Sequence, residues 1–471
     1  MAKKPKTVFF CTSCGHEEGR WLGRCPGCGE WNTFKEMTIQ DQSGTNNVTG
    51  IIRQAATNKQ AKDNKPSKSS HDSKHHQTIK LGEAKGLDQL RFLSGIGELD
   101  RVLGGGIMAG SSVLIGGEPG IGKSTLLLQA GAGYLHHHRV LYISGEEGAE
   151  HIKHRADRLG LKADEMQVLT SPELETIMQS LEEQQPEIVI VDSIQTLITQ
   201  LLDSAPGTVN QMKLSVYGIA EWARNHGAGV FFIAHVTKEG EIAGPKTIEH
   251  MVDAVALFEH SGSEVRFLRC SKNRFGSVDE VGLFRMDAEG LEELSDPSQV
   301  FLVHRDQPMP PGVIAAPTFE GSRILMVEIQ ALTIPSQAGF GRVYSDRIDA
   351  RRVSRVCAVL EKHGGIRLHD QDVYINVAGG MKITEVGVEL PLSLAILSAV
   401  TGKSMNRKLA VAGELSLSGE LRPVSHLKQR FQAARELGFT YQLGPTGNSA
   451  SWTQVKTIRD AIRQALEWTE G

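Results

Sequence analysis

The sequence predicts an α/β protein: a mostly parallel sheet with helices on both faces, preceded by a small metal-held module and followed by an α+β domain. Three observations carry that reading. A glycine-rich loop stands between an apolar strand and a helix within Ser111–Gln129, strands alternate with helices from Val140 to His235, and four cysteines cluster between Cys11 and Cys28.

The loop is the most specific of the three. Val113-Leu114-Ile115 is short, apolar and bounded by glycine, as a buried parallel strand is. The run Gly117-Glu118-Pro119-Gly120-Ile121-Gly122-Lys123-Ser124-Thr125 then matches the P-loop pattern without mismatch. Its glycines let successive backbone N–H groups turn inward around phosphate oxygens, where side chains would collide. The helix that follows points its positive end at the same anion. Lys123 supplies a charge for the β- and γ-phosphates, and the Ser124 hydroxyl is placed to ligate Mg²⁺. The stretch reads as a nucleoside triphosphate site.

Length and charge bound the rest. A chain of 471 residues holds two or three domains with large cores. With 51 basic against 55 acidic residues, no global field announces a nucleic acid or a membrane, so any DNA affinity must be local. No apolar run approaches the ~20 residues needed to cross a bilayer, which leaves no membrane partner. Lys3, Lys4 and Lys6 lead into Cys11 without the apolar core of a signal peptide. Six cysteines, four of them in one cluster, fit a reduced cytoplasmic protein with a metal site.

In chain order, residues 1–34 form the first module. Cys11, Cys14, Cys25 and Cys28 are spaced C-x2-C-x10-C-x2-C. Two such knuckles, turned by Gly15, Gly27 and Gly29, close a tetrahedral Zn²⁺ site. So short a module has no core of its own, and the metal holds it folded. A dithiol redox centre would need one C-x2-C on a helix instead. Trp21 and Trp31 are able to stack on bases, but packing over the knuckles is the expectation.

Residues 35–79 contain no Phe, Tyr or Trp and carry seven Lys/Arg against four Asp/Glu. They read as a disordered tether, with His71, His75 and His76 solvated in it. Folded sequence resumes near Leu93 and belongs to a domain over 80–293. Val140–Ile143 is a strand running into Ser144-Gly145-Glu146-Glu147, and Leu174, Ile177, Met178 and Leu181 make one helical face. Ile188–Asp192 and Gly229–His235 are further buried strands. In such a sheet the chemistry gathers at the carboxyl ends of strands. Asp192 takes the position of a Walker-B carboxylate holding Mg²⁺ through water, with no other partner evident in the sequence. Glu146 is the candidate base for the attacking water, with Glu147 the alternative. His235 ends another strand as a candidate γ-phosphate sensor, a satisfied loop histidine being the bland alternative.

Leu93 to Asp287 resembles the RecA superfamily. With the four-cysteine ribbon and Lys272-Asn273-Arg274-Phe275-Gly276, the whole resembles the bacterial RadA family, also called Sms. That resemblance implies a RecA-like core in a homo-oligomeric, six-membered ring, hydrolysing ATP under stimulation by single-stranded DNA. It implies work on branched recombination intermediates beside the RecA recombinase. The loops near Thr199–Asn210 and Thr237–His250 would line the channel, with Lys238 and Lys246 following DNA phosphates. Lys272 and Arg274 would reach the nucleotide of the adjacent subunit; composition alone reads them as a solvated basic turn.

Asp296-Pro297 and the proline-rich run through Gly312 mark a boundary near 294. Beyond it, Ile324–Ile329 and Val373–Val377 read as strands, with helices from Asp349 and Leu390. Residues 294–471 resemble the peptidase domain of Lon proteases, above all in Gly413–Val424, and Lys428 falls at the lysine of the catalytic pair. Val388 or Glu389 stands where the serine belongs, and Ser393 lies about one helical turn away. The domain is therefore expected to be a non-catalytic scaffold. A Lon-type protease and a clock-type signalling ATPase are the competing functions. The missing serine disfavours the first, and the ribbon with the Lys272 motif disfavours the second.

Overall fold

A computed structural model describes residues 6–11, 17–18, 20–26, 31, 33–39, 90–202, 205, 207–235, 246–260, 264–294, 298–303, 305, 309–337, 339–447 and 451–469. Residues 40–79 of the expected tether, with its histidines, lie outside them together with Cys14, Cys28 and Lys238, as do the side chains of Cys11 and Lys246. The chain divides into two compact units: Met1–Glu259 with Leu268–Val278 and Asp287–Leu291, and His260–Phe267 with Asp279–Met286 and Glu292–Gly471.

The amino-terminal module is a three-stranded antiparallel sheet of β1 (Lys6–Cys11), β2 (Glu17–Glu18) and β3 (Phe34–Ile39). All of β3 pairs with β1, from Cys11 opposite Phe34 to Lys6 opposite Ile39. Residues 35–39 are thus strand, and the folded module runs past the boundary expected at 34. Low hydrophobicity misled there, because what holds these residues is ladder pairing to β1. Cys25 and Phe34 are buried together, with Phe9 and Leu22 against them. Trp21 and Trp31 are not part of that cluster and are 52% and 70% exposed; most of the knuckle residues they were expected to cover lie outside the described residues.

Two short strands, β4 (Arg91–Phe92) and β5 (Ile107–Met108), pair around helix α1 (Gly97–Val102). The main sheet then begins with β6 (Ser112–Gly117), followed by α2 (Lys123–Tyr134), β7 (Val140–Ser144), α3 (Ala149–Arg158), β8 (Gln167–Thr170), α4 (Leu174–Gln184), β9 (Ile188–Asp192), α5 (Val209–His226), β10 (Gly229–His235), α6 (Lys246–Met251), β11 (Ala254–His260), β12 (Val265–Asn273), β13 (Val281–Asp287) and β14 (Gly290–Glu293). Spatial order is β14-β13-β12-β11-β6-β10-β9-β7-β8, and the ladders from β11 through β8 are parallel. Every residue of β6 is buried, as a central parallel strand covered on both faces requires. Leu174, Ile177, Met178 and Leu181 are all buried on α4, each contributing about 1.5–3 kcal/mol of apolar burial. The expected alternation and its helical face are as read.

The second sheet has long strands β15 (Val313–Glu320), β16 (Arg323–Pro335) and β18 (Gln371–Val377). The shorter ones are β17 (Val343–Ser345), β19 (Leu409–Val411), β20 (Tyr441–Pro445) and β21 (Thr453–Val455). Their spatial order is β17-β18-β16-β15-β19-β20-β21. Helix α7 (Ser298–Phe301) precedes them. Helix α8 (Ala350–Val359) starts at Asp349, whose carboxylate accepts a bond from the Arg352 N–H. Helix α9 (Glu389–Thr401) is buried from Glu389 through Ser398 on all sides, the mark of a helix at the centre of a core.

Candidate nucleotide site

The site is built where β6 ends. A Cβ at Gly117 would stand 2.7 Å from the carbonyl oxygen of Phe258, so only glycine lets β6 lie this close to β11. Gly120 and Gly122 have φ of 78° and 112°, left-handed values that glycine adopts without strain. The loop then opens into α2 with Lys123 as its first residue, while Glu118, Pro119 and Gly120 are exposed. The result is a cradle of backbone N–H groups at a helix start.

Lys123 is buried and folded into the cradle. Its Nζ donates to the carbonyls of Gly117 at 2.7 Å and Glu118 at 2.9 Å, and lies 3.3 Å from Nδ1 of His235. Burial pulls its ammonium down to about 8, against the opposing pull of Asp192, Glu118 and Glu146. His235 is pushed below its usual value, first by burial and then by the Lys123 charge. The histidine therefore faces the loop as a neutral imidazole.

The carboxylates stand at the ends of β7 and β9, which pair with Ser144 opposite Asp192. The same parity puts Tyr142 on the Asp192 face, and its phenol donates to Asp192 at 2.6 Å. Burial, with Asp192 beside it, raises the Tyr142 phenol well above the ordinary tyrosine range, so it stays a donor. Asp192 thus has the partner that its apolar flanks did not reveal. Glu146 accepts a bond from the Ser193 hydroxyl at 2.8 Å and is otherwise exposed. Glu147 is held by Arg155, whose Nη2 reaches both carboxylate oxygens at 2.5 and 2.6 Å. One glutamate is free to meet a water and its neighbour is tied down.

The Lys272–Gly276 motif is placed elsewhere. Lys272 Nζ donates to the carbonyls of Glu249 at 2.8 Å and Val252 at 2.6 Å, capping the end of α6. Arg274 pairs with Asp253 at 3.3 Å, and Asp253 also accepts from the N–H and hydroxyl of Ser112 at 3.0 and 2.9 Å. Ser112 begins β6, whereas the phosphate loop leaves its other end, roughly 16 Å away at strand rise. Neither cation touches the cradle of its own chain. Phe275 is anchored through its carbonyl by Arg91 at 2.7 Å, which also donates to Leu103 and Gly106. Asn273 accepts from the Phe275 N–H at 2.9 Å, and Gly276 lies against Gly104.

In the second unit, Glu389 is buried and pairs with Arg355 while accepting from the Leu415 N–H at 3.0 Å. Ser393 is fully buried and spends its hydroxyl on the Glu389 carbonyl at 2.7 Å. Lys428 is exposed.

The geometry defines a P-loop nucleoside triphosphatase with a mostly parallel α/β core, a zinc-ribbon module before it and an α+β domain after it. Residues 82–241 match the AAA domain family, residues 9–36 the rubredoxin metal binding domain family, and residues 347–448 the family of subunit ChlI of Mg-chelatase. The matched family over the last region is thus ChlI. The DNA repair protein RadA of Treponema pallidum (strain Nichols) is 44% identical over 98% of this chain and 96% of its own. That of Brucella abortus (strain 2308) is 42% identical over 95% and 94%, and that of Bacillus subtilis (strain 168) 41% identical over 97% and 96%. The chain belongs to the RadA family. A crystal structure of the RadB recombinase covers 43% of this chain and 100% of its own at 22% identity and a TM-score of 0.36, too distant to bear on function.

Tyr142, Ser193, Arg155, Asp253 and Arg91 were not found in the sequence. Tyr142 was within reach of the strand parity between β7 and β9. The other four depend on loop and helix contacts that no spacing encodes.

Proposed function

We propose that this protein is an ATP-driven motor of DNA repair and recombination. It binds single-stranded DNA, is stimulated by it, and extends or migrates strand-exchange joints as a homo-oligomeric ring, a hexamer, alongside the RecA recombinase. The observation that carries the reading is the pairing of a complete P-loop site with a Lys272–Gly276 motif that lies too far along β6 to serve it.

Within one chain, Lys123 leaves the Gly117 and Glu118 carbonyls to meet the β- and γ-phosphates. Ser124 and Asp192 are the residues suited to hold Mg²⁺, and Tyr142 fixes the Asp192 carboxylate for that role. When bound, the ion neutralises charge on the phosphates. Glu146, oriented by Ser193, takes the proton of the attacking water. His235 reports phosphate occupancy from Lys123 into the segment after β10. Lys272 and Arg274 act on the neighbour's nucleotide, which makes hydrolysis depend on a seated ring. Lys238 and Lys246 follow DNA phosphates in the channel.

Zinc is held by Cys11, Cys14, Cys25 and Cys28. The backbone of Cys11 ends β1 opposite Phe34, and Cys25 is buried on Phe34, so two of the four cysteines gather at one end of the ribbon. The carboxyl-terminal domain, read as Lon-like, is a scaffold without peptidase activity. Incubation of joint molecules with the protein and ATP should extend the labelled joint, and Lys123→Ala should abolish extension. Extension that proceeds equally with no ATP or with Lys123→Ala contradicts the motor reading.

A further inference from the structure

The ribbon keeps its small core without its tryptophans. Cys25, Phe34, Phe9 and Leu22 pack together, while Trp21 and Trp31 stay 52% and 70% exposed. An indole normally buries 150–250 Å² of its surface, so leaving two in water forgoes much of their stabilisation. They are also adjacent. Each carries a ring atom 3.8 Å from where a Cβ of Gly23 would stand, and no side chain at Gly23 closes the gap between them. The Arg24 guanidinium lies 5.9 Å from the Trp31 ring centroid, and Arg24 and Trp31 are bridged through their backbones. That bridge and the cation–π contact hold the Trp31 ring in place and leave most of it open. Arg20, next to Trp21, is exposed.

We propose that Trp21 and Trp31, with Arg24, form a base-stacking site for single-stranded nucleic acid on the ribbon, separate from the ATPase core. Two flat π-faces beside Arg24 and Arg20 match an unpaired base with its phosphate, and every base has such a face. Bases within a duplex are already stacked and offer none. The choice of nucleic acid over a protein partner rests on the proposed DNA motor function, and on charge complementarity between Arg20, Arg24 and phosphate.

The test uses full-length, zinc-loaded protein and two fluorescent probes of equal length: oligothymidylate, and an abasic oligonucleotide with the same phosphates. Wild type should bind oligothymidylate more tightly than the abasic strand. Trp21→Ala/Trp31→Ala should lose about tenfold in oligothymidylate affinity and little on the abasic probe. Zinc content per chain checks that the ribbon still folds. As a second measurement, oligothymidylate should quench intrinsic fluorescence in wild type, and the quenching should shrink in Trp21→Phe/Trp31→Phe, which keeps stacking rings. Equal affinity for both probes, unchanged base preference in Trp21→Ala/Trp31→Ala, or unchanged quenching in Trp21→Phe/Trp31→Phe overturns the site and leaves the indoles to a protein partner. Absence of DNA-stimulated ATP hydrolysis would instead overturn the motor reading, and tryptophan-dependent binding would survive it.

Discussion

At the scale of single residues, the nucleotide site separates two adjacent glutamates by what holds them. Glu147 is bound by Arg155 through both oxygens, while Glu146, among the described residues, hydrogen-bonds only with the Ser193 hydroxyl. Glu146→Gln should therefore bind ATP normally and lose about 10²–10⁴-fold in turnover, whereas Glu147→Gln should lose far less. Steady-state hydrolysis beside nucleotide binding decides it, and the reverse ranking would move the base to Glu147. Lys123 gives a pH prediction. Its ammonium is lowered to about 8 by burial, so the free site holds the cation below that pH and loses it above. Nucleotide affinity should fall between pH 7 and 9, approaching about tenfold per unit beyond pH 8, while the nucleotide-free fold gains stability as the buried charge is lost. A flat affinity profile across that range would contradict the assignment. The P-loop was legible because backbone geometry dictates its glycines and lysine. The choice between the two glutamates was not, because it turns on Arg155, eight positions away on a helix.

At the scale of elements, local patterns worked where burial shapes the sequence. The α4 face was readable because one-sided burial writes a helical period, and strands β6, β7, β9 and β10 because burial on both faces leaves continuous apolar runs. The end of the ribbon was not readable, since Lys35–Ile39 is polar and held by pairing with β1. The ribbon itself should depend on metal. Cys25→Ser should lose the single zinc per chain and make the amino terminus protease-sensitive, while nucleotide binding by the core persists. Limited proteolysis with metal analysis reads both, and a protease-resistant ribbon free of zinc would contradict the account.

At the scale of the whole molecule, the separation of Lys272 and Arg274 from their own P-loop supports the proposal that assembly is part of catalysis. Lys272 caps α6 and Arg274 pairs with Asp253 at the opposite end of β6 from the phosphate loop. Lys272→Ala should cost about 10³-fold in turnover with ATP binding nearly intact. Mixed with Lys123→Ala protein in shared rings, it should regain part of the activity, because some interfaces then pair an intact P-loop with an intact Lys272. Demonstrated mixing without recovery would assign Lys272 to its own chain, where holding α6 is the role its contacts support.

The central claim, that nucleotide hydrolysis at this site is coupled to single-stranded DNA, is tested most directly by one measurement. ATP hydrolysis by the full-length protein is followed with and without single-stranded DNA, at fixed protein concentration and salt. The account predicts a low rate alone, a clear rise with DNA, and neither in Lys123→Ala. A rate that DNA leaves unchanged, with hydrolysis still dependent on Lys123, would leave an ATPase whose work is not on DNA.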